Sequence, residues 1–292
     1  MYFKINNDCK DKKVLLRTDY NVSYDNKLKI VDNLRIKNSI KTILKLLDLN
    51  CKISIMSHLG RPKKKEKKYS LKPVSIELQK LLKEHNKDIK VRFIENNLKR
   101  GIKTIINNQK SNEILLFENI RYYKFENDKY NEKDLNEIFF NIEKLDLSKK
   151  RDQNKKNKLL LKILDPTDLE FAKTFFSYYD FFVNDGFGVM HRACFSTVLP
   201  MFFLPSYLGE LSLFETEKLK ELIDVKEKFV VMLGGSKLST KLSLLNSLLK
   251  KADYIILGGA MIFSFYKAMN QEIGKSLYEK DMVVVCKKLL LK

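Results

Sequence analysis

The chain has 292 residues, 44% of them hydrophobic, enough for one large core or two ordinary ones. It holds no apolar run of the ~18 to 20 residues a membrane span needs, and its start, MYFKINNDCK, lacks the apolar stretch of a signal peptide, so no membrane association and a cytoplasmic location are expected. A formal charge of +20 attracts polyanions whatever the fold, but 48 lysines stand against 8 arginines with no nucleic-acid-binding motif or basic–aromatic cluster, which points to lysine spread over every solvated face and away from a dedicated nucleic-acid surface.

In chain order, short runs rich in Val, Ile, Leu and Phe fall at 14–16, 53–56, 114–117 and 181–183, with helical periodicity at 36–49 and 74–82. Strand-then-helix order predicts a parallel sheet covered on both faces. Between 127 and 163 the periodicity is diluted by Asn, Lys, Asp and Glu, so a mobile surface insertion is expected there. The stretch 204–223, opened by Pro205 and Gly209, reads as a helical connector. A second series follows, with a strand at 229–233, a helix at 238–249 and a strand at 254–257. Cys9, Cys51, Cys194 and Cys286 show no paired spacing, so reduced structural thiols and no metal site are expected.

In open parallel sheets ligands collect beyond the carboxyl ends of the strands. Arg17 ends the first expected strand, and the second runs into Ser57-His58-Leu59-Gly60-Arg61-Pro62. The third runs into Glu118-Asn119-Ile120-Arg121, and the fourth into Asn184-Asp185-Gly186-Phe187-Gly188 and His191-Arg192. Arg35 opens a helix after the first loop. In so lysine-rich a chain an arginine marks a place that needs a planar, bidentate fork. Arg17, Arg35, Arg61, Arg121 and Arg192, with His58 and His191, therefore describe a cleft for a small, multiply charged anion.

The order of these motifs resembles the phosphoglycerate kinase family. The segments that carry the resemblance are Arg17-Thr18-Asp19-Tyr20-Asn21-Val22, Asp32-Asn33-Leu34-Arg35-Ile36, Met56-Ser57-His58-Leu59-Gly60-Arg61-Pro62 and Tyr69-Ser70-Leu71-Lys72-Pro73-Val74. They continue with Glu118-Asn119-Ile120-Arg121-Tyr122-Tyr123, Asn184-Asp185-Gly186-Phe187-Gly188, His191-Arg192, Gly234-Gly235-Ser236-Lys237-Leu238-Ser239-Thr240-Lys241 and Gly258-Gly259-Ala260-Met261.

The resemblance implies two Rossmann-like α/β domains of three layers with parallel sheets: a glycerate-phosphate-binding domain at 1–205, and at 206–292 an interdomain helix with the first part of a nucleotide-binding domain, which is incomplete. It implies reversible phosphoryl transfer between ATP and the carboxylate of 3-phosphoglycerate, giving 1,3-bisphosphoglycerate, in glycolysis. Asp19 and Asn21 would orient the glycerate, while His58, Arg61, Arg121, His191 and Arg192 would hold its phosphate end. Arg35 and Lys237 would meet the transferring group and are the expected catalytic pair. Gly235, Ser236, Lys237, Lys241, Gly258 and Gly259 would form one wall of the nucleotide site. Mg2+ would enter with ATP or ADP, its protein ligand lying in the part of the family pattern that this sequence does not show. The family is usually monomeric, and the shortened second domain leaves association open.

Cys194 stands where the family usually has a second histidine, which removes one phosphate contact from the pattern. Two alternatives to a working kinase follow from the residues as given: a shortened or degenerate copy that binds 3-phosphoglycerate with little or no turnover, and a basic protein that binds nucleic acid or another polyanion.

Overall fold

A computed structural model of the chain describes residues 4–85, 88–95, 98, 101–127, 130–223 and 227–291. The chain divides into two compact units, Met1–Glu217 and Lys218–Lys292.

In the first unit, strands β1 (Lys13–Arg17), β2 (Lys52–Met56), β3 (Lys90–Ile94), β4 (Glu113–Phe117), β5 (Phe181–Asn184) and β6 (Ser206–Leu208) form one parallel sheet in the order β3-β4-β2-β1-β5-β6. The helices are α1 (Leu34–Asp48), α2 (Lys72–Glu84), α3 (Ile102–Asn107), α4 (Lys124–Asn127), α5 (Glu132–Ile142), α6 (Lys150–Leu160), α7 (Pro166–Phe176) and α8 (Glu210–Ile223).

Side chains alternate across a strand, and the two sheet faces accordingly feed two cores. Val14, Leu16, Ile114, Leu116, Phe181 and Val183 join Ile36, Ile40, Ile43 and Leu46 of α1 and Leu78 and Leu82 of α2 on one side. Leu15, Leu115, Phe117 and Phe182 join Ile102, Leu135, Ile138, Leu160 and Phe175 on the other. The expected parallel sheet with helices on both faces is present.

Two strands escaped the sequence pattern. β3 carries Lys90 and Arg92 and β6 is only three residues long. Both lie at the edges of the sheet, where no continuous apolar run is required.

The 127–163 segment, whose residues 128–129 lie outside those described, differs from the mobile insertion expected there. It forms α5 and α6. Asn131 caps α5 by accepting a hydrogen bond from the Lys133 amide, and Leu135, Ile138 and Leu160 are buried in the core. A polar composition does not prevent a helix from docking when a narrow stripe of large apolar residues faces the sheet.

The first unit extends into α8, because β6 pairs with β5 and the start of α8 is bound to α1: the Glu210 amide donates to Thr42 Oγ1 at 2.8 Å and its carboxylate takes Lys45 at 2.6 Å.

The second unit contains the parallel pair β7 (Val230–Gly234) and β8 (Tyr254–Gly258) with α9 (Leu242–Leu248), α10 (Ile262–Ala268) and α11 (Val283–Leu290). Leu238, Leu245, Met261, Phe265, Cys286 and Leu289 make its core. The helix expected over 238–249 begins at Leu242, after a short 3-10 turn at Ser239–Lys241.

Candidate active site

The register aligns Arg17 of β1 with Met56 of β2 and Asn184 of β5, so the loops after these strands leave the sheet side by side. Arg121 follows β4 on the short turn Ile120–Tyr122, where the Asn119 side chain accepts from the Arg121 amide. Asn119 Nδ2 also donates to the carbonyls of Leu59 (2.7 Å) and Tyr69 (2.9 Å), tying the loop that carries His58 and Arg61 to the one that carries Arg121. Asn21 Oδ1 accepts from the Gly60 amide at 2.7 Å.

These loops border a cavity of about 510 Å³ lined by Arg61, Pro62, Arg121, Asn127, Tyr130, Glu132, His191, Arg192 and Ala193. Arg121 Nη1 donates to the Gly60 carbonyl at 2.6 Å. Burial, then the charges of Arg192 and Arg17, push Arg121 down to about 10, so it remains a cation at neutral pH. The cations around the cavity thus repel one another in the absence of an anion.

A line of polar contacts leads from the interior to this cluster. Glu126 Oε1 lies 3.6 Å from Arg17 Nη2, and both side chains are about 98% shielded or more, with 2% and 1% exposed. Ser196 joins them, accepting from Arg17 Nε at 2.7 Å while its hydroxyl and amide donate to the two Glu126 oxygens at 2.8 and 2.9 Å. Arg17 Nη2 approaches His58 Nδ1 at 3.3 Å. Since a guanidinium only donates, Nδ1 accepts and the neutral ring carries its proton on Nε2. That nitrogen faces Asp19 Oδ1 at 3.8 Å, and Asp19 Oδ2 accepts from Arg35. A Cβ on Gly188 would come within 2.6 Å of Asp19 Oδ2, so glycine leaves room for the Asp19–Arg35 pair.

Asp19, Asn21, Arg35, His58, Arg61, Arg121, His191 and Arg192 are therefore brought to one edge of the first sheet. Arg17 departs from the expected cleft: it turns inward and is occupied by Glu126 and Ser196. Nothing local in the sequence relates Glu126 or Ser196 to Arg17. Cys194 also serves this buried network, its thiol donating to Glu126 Oε1 at 3.3 Å. Burial, then the Glu126 charge, raises its pKa.

The glycine-rich residues sit apart, in the second unit. Gly235 and Gly259 meet backbone to backbone: the Met261 amide donates to the Gly235 carbonyl at 3.0 Å, and Gly259 has φ +71° with no room for a Cβ against Gly235. The Lys241 side chain packs over Gly235, its Cε lying where a Cβ on that residue would be, while Lys237 is exposed beside Ser236. Glu279 accepts from both the hydroxyl and the amide of Ser239, fixing the turn between the two lysines. Gly258 joins the pair of loops through its carbonyl, which accepts from the Gly235 amide at 3.3 Å.

Two buried groups of the first unit give opposite pH dependences. Burial, then the charges of Arg17, Arg121, Arg192 and Arg35, holds His58 far below its ordinary 6.5, so the folded protein keeps it neutral. Below about pH 6.5 the unfolded chain binds a proton that the folded one refuses, and stability falls with falling pH by about 1.4 kcal/mol per unit. Burial pushes Asp185 up from 3.8 to about 6, against the opposing pull of Thr42 and the Ser212 and Leu211 amides. Between these values the folded protein holds a proton the unfolded chain has released, so this contribution is present at low pH and lost as pH rises through about 6. From about pH 4 to 6 the two slopes oppose each other. Relative to the parent, Asp185→Asn is expected to add about 1.4 kcal/mol per unit of stabilisation with rising pH, and His58→Gln to subtract as much. Urea unfolding at four pH values in that window reads both, and parallel lines for all three proteins would refute the assignment.

The fold and this edge define a class: parallel-sheet α/β proteins with an arginine-lined pocket at the carboxyl ends of the strands. The phosphoglycerate kinase family profile matches residues 5–292. The chain is 34% identical over 289 residues to the phosphoglycerate kinase of Aquifex aeolicus, covering 97% of this chain and 61% of that one. It is 36% identical over 285 residues to the cytosolic phosphoglycerate kinase of Triticum aestivum, covering 97% and 60%. The solved structure of phosphoglycerate kinase from Coxiella burnetii shares the fold with a TM-score of 0.72 at 29% identity, over 100% of this chain and 63% of that one. That from Pyrococcus horikoshii gives 0.73 at 23% identity, over 97% and 63%, a likeness of fold. The chain belongs to the phosphoglycerate kinase family, and it spans 61% of the length of the Aquifex relative.

Proposed function

We propose that the chain binds 3-phosphoglycerate in its first unit and, with ATP bound by the second, transfers the terminal phosphoryl group reversibly to the substrate carboxylate, as a cytoplasmic glycolytic kinase. The observation that carries this reading is the cavity in which Arg61, Arg121 and Arg192 converge with His191, beside the Asp19–Arg35 pair.

Arg61, Arg121, His191 and Arg192 take the phosphate end, where forked guanidiniums match its oxygens. Neutral His58 supplies a hydrogen-bond donor without adding a charge, and Asp19 and Asn21 orient the glycerate. Arg35, half exposed, is free to swing its guanidinium toward the transferring group while Asp19 holds its resting position. Transfer of this kind needs positioning and charge neutralisation more than covalent help, which these residue types provide. In the second unit the bare backbone of Gly235, Gly258 and Gly259 admits a nucleotide, with Ser236, Lys237 and Lys241 reaching its phosphates. Mg2+ is expected to enter with the nucleotide. Among the described residues no group of three His, Cys, Asp or Glu side chains could hold a metal ion, so no residue of this chain is assigned to it.

Turnover of 3-phosphoglycerate with Mg-ATP by the 292-residue chain, beside Lys237→Ala, tests the proposal. Turnover is expected, with the variant down about 10²- to 10³-fold, the usual loss when one preorganised charge on the reacting group is removed. Turnover by neither protein would overturn the kinase reading. A 3-phosphoglycerate-dependent rise in melting temperature would then leave the binding reading standing, and no rise would remove that too.

A further inference from the structure

Two of the loops that border the cavity are joined residue by residue: every member of the turn 118–122 holds the loop 57–71. The Ile120 amide donates to the Ser57 carbonyl at 3.1 Å, Asn119 Nδ2 to the carbonyls of Leu59 and Tyr69, Arg121 Nη1 to the Gly60 carbonyl, and the Tyr122 hydroxyl to the Glu66 carbonyl at 2.8 Å. Glu118 holds the far end of the loop. Its Oε1 accepts from the Leu71 amide and from the adjoining Asn119 amide, and its Oε2 from the Ser70 hydroxyl, all at 2.8 Å. The Glu118 residue is only 5% exposed.

The loop is held against charge repulsion. It supplies Arg61 to the cavity and then carries the exposed Lys63, Lys64, Lys65, Lys67 and Lys68, which repel one another and the cavity arginines. The surface pairs Lys65–Glu95 and Lys68–Glu66 offset little of this. Where the loop ends, α2 starts without a cap of its own, because its N-cap residue Leu71 makes no side-chain bond. The carboxylate arriving from the end of β4 takes the Leu71 amide instead, as the glutamate of a capping box would, and it favours the positive end of the helix. Withdrawing it would leave the Leu71 and Asn119 amides buried without this acceptor.

We propose that Glu118 is a positioning residue for the substrate's phosphate end: through its three acceptor contacts, and not through its charge, it keeps Arg61 and Arg121 lining one cavity before any ligand arrives. The proposal rests on the reading of that cavity as the site of the phosphate end, and it adds the residue that preorganises it. A cavity assembled in advance loses no binding free energy to drawing two cationic loops together.

Calorimetric titration of the full chain with inorganic phosphate and with 3-phosphoglycerate, at a temperature where every protein is folded, tests it through two variants. Glu118→Asp keeps the charge but draws the oxygens back by one methylene, so both ligands are expected to bind about tenfold more weakly. Glu118→Gln keeps the reach and the oxygen shared by the Leu71 and Asn119 amides, while the Ser70 hydroxyl turns to accept, so both affinities are expected to stay within about twofold of the parent. Lower melting temperatures with parental affinities in both variants would make Glu118 part of the scaffold alone and overturn the proposal. So would parental binding by Glu118→Asp beside a loss of about tenfold in Glu118→Gln, the mark of a role carried by charge. Arg121→Ala is the control for the underlying reading: if it binds both ligands as the parent does, or the parent binds neither, the cavity is not the phosphate site and the proposal falls with it.

Discussion

Glu126→Ala is expected to destabilise the first unit by about 3–5 kcal/mol, the cost of leaving a buried charge without its partner. For a unit of this size that is a fall in melting temperature of roughly 6 to 20 °C. Arg17 is 1% exposed and cannot shed its proton, so with Glu126 gone only the Ser196 hydroxyl, the Thr18 carbonyl and His58 Nδ1 remain to it. The loss also releases the Ser196 amide, which donates to Glu126 Oε2. Glu126→Gln keeps the shape and one acceptor, so an intermediate loss is expected. Arg17→Met combined with Glu126→Leu should recover most of the deficit, because removing both charges together also removes their desolvation cost. Urea unfolding of the four proteins separates these cases. A loss below about 1 kcal/mol for Glu126→Ala would mean that water reaches Arg17 and that the ion pair is incidental.

The same contact has a consequence at the surface. Arg17 fixes the tautomer of His58, and His58 faces Asp19, which holds Arg35. An interior carboxylate thereby sets the orientation of groups proposed to meet the substrate, through a sequence of donors and acceptors with no mobile link longer than one side chain.

The sequence made some of this legible and hid the rest for identifiable reasons. β1, β2, β4 and β5 are covered on both faces, so they carry continuous apolar runs such as 114–117, in a strand whose five positions are all buried. β3 alternates exposed and half-buried positions, and its Lys90 and Arg92 break the run that would have marked it. The strand-end arginines were visible because arginine is scarce in this chain. Their division of labour was not, since only the folded sheet shows that Arg17 points into the interior and Arg121 into the cavity. Composition misled at 127–163, where Leu135, Ile138 and Leu160 suffice to dock two helices that are otherwise polar.

Arg121→Ala is expected to abolish most of the response of the protein to 3-phosphoglycerate without weakening the free protein. A ligand present at 100 times its dissociation constant stabilises the native state by about 2.7 kcal/mol, which for the first unit is a rise of roughly 5 to 11 °C. Arg121 offers a charged fork inside the cavity, and losing such a contact to a phosphate costs on the order of 3 kcal/mol or about 100-fold in affinity. At the same ligand concentration the variant would then be only half saturated, with about 0.4 kcal/mol of stabilisation and a rise of roughly 1 to 2 °C. In the ligand-free state the substitution removes a bond to the Gly60 carbonyl, but it also removes a cation that Arg192 and Arg17 repel. The melting temperature without ligand should therefore stay level or rise. Arg121→Lys separates charge from geometry: it retains the positive field but not the two-pronged match, so an intermediate shift is expected. Thermal melts of the three proteins across a 3-phosphoglycerate series measure every one of these quantities. A parental response in Arg121→Ala would place the phosphate elsewhere than the cavity, whereas a lowered ligand-free melting temperature with a normal response would make Arg121 a structural arginine, tied to Gly60 and not held in reserve for an anion.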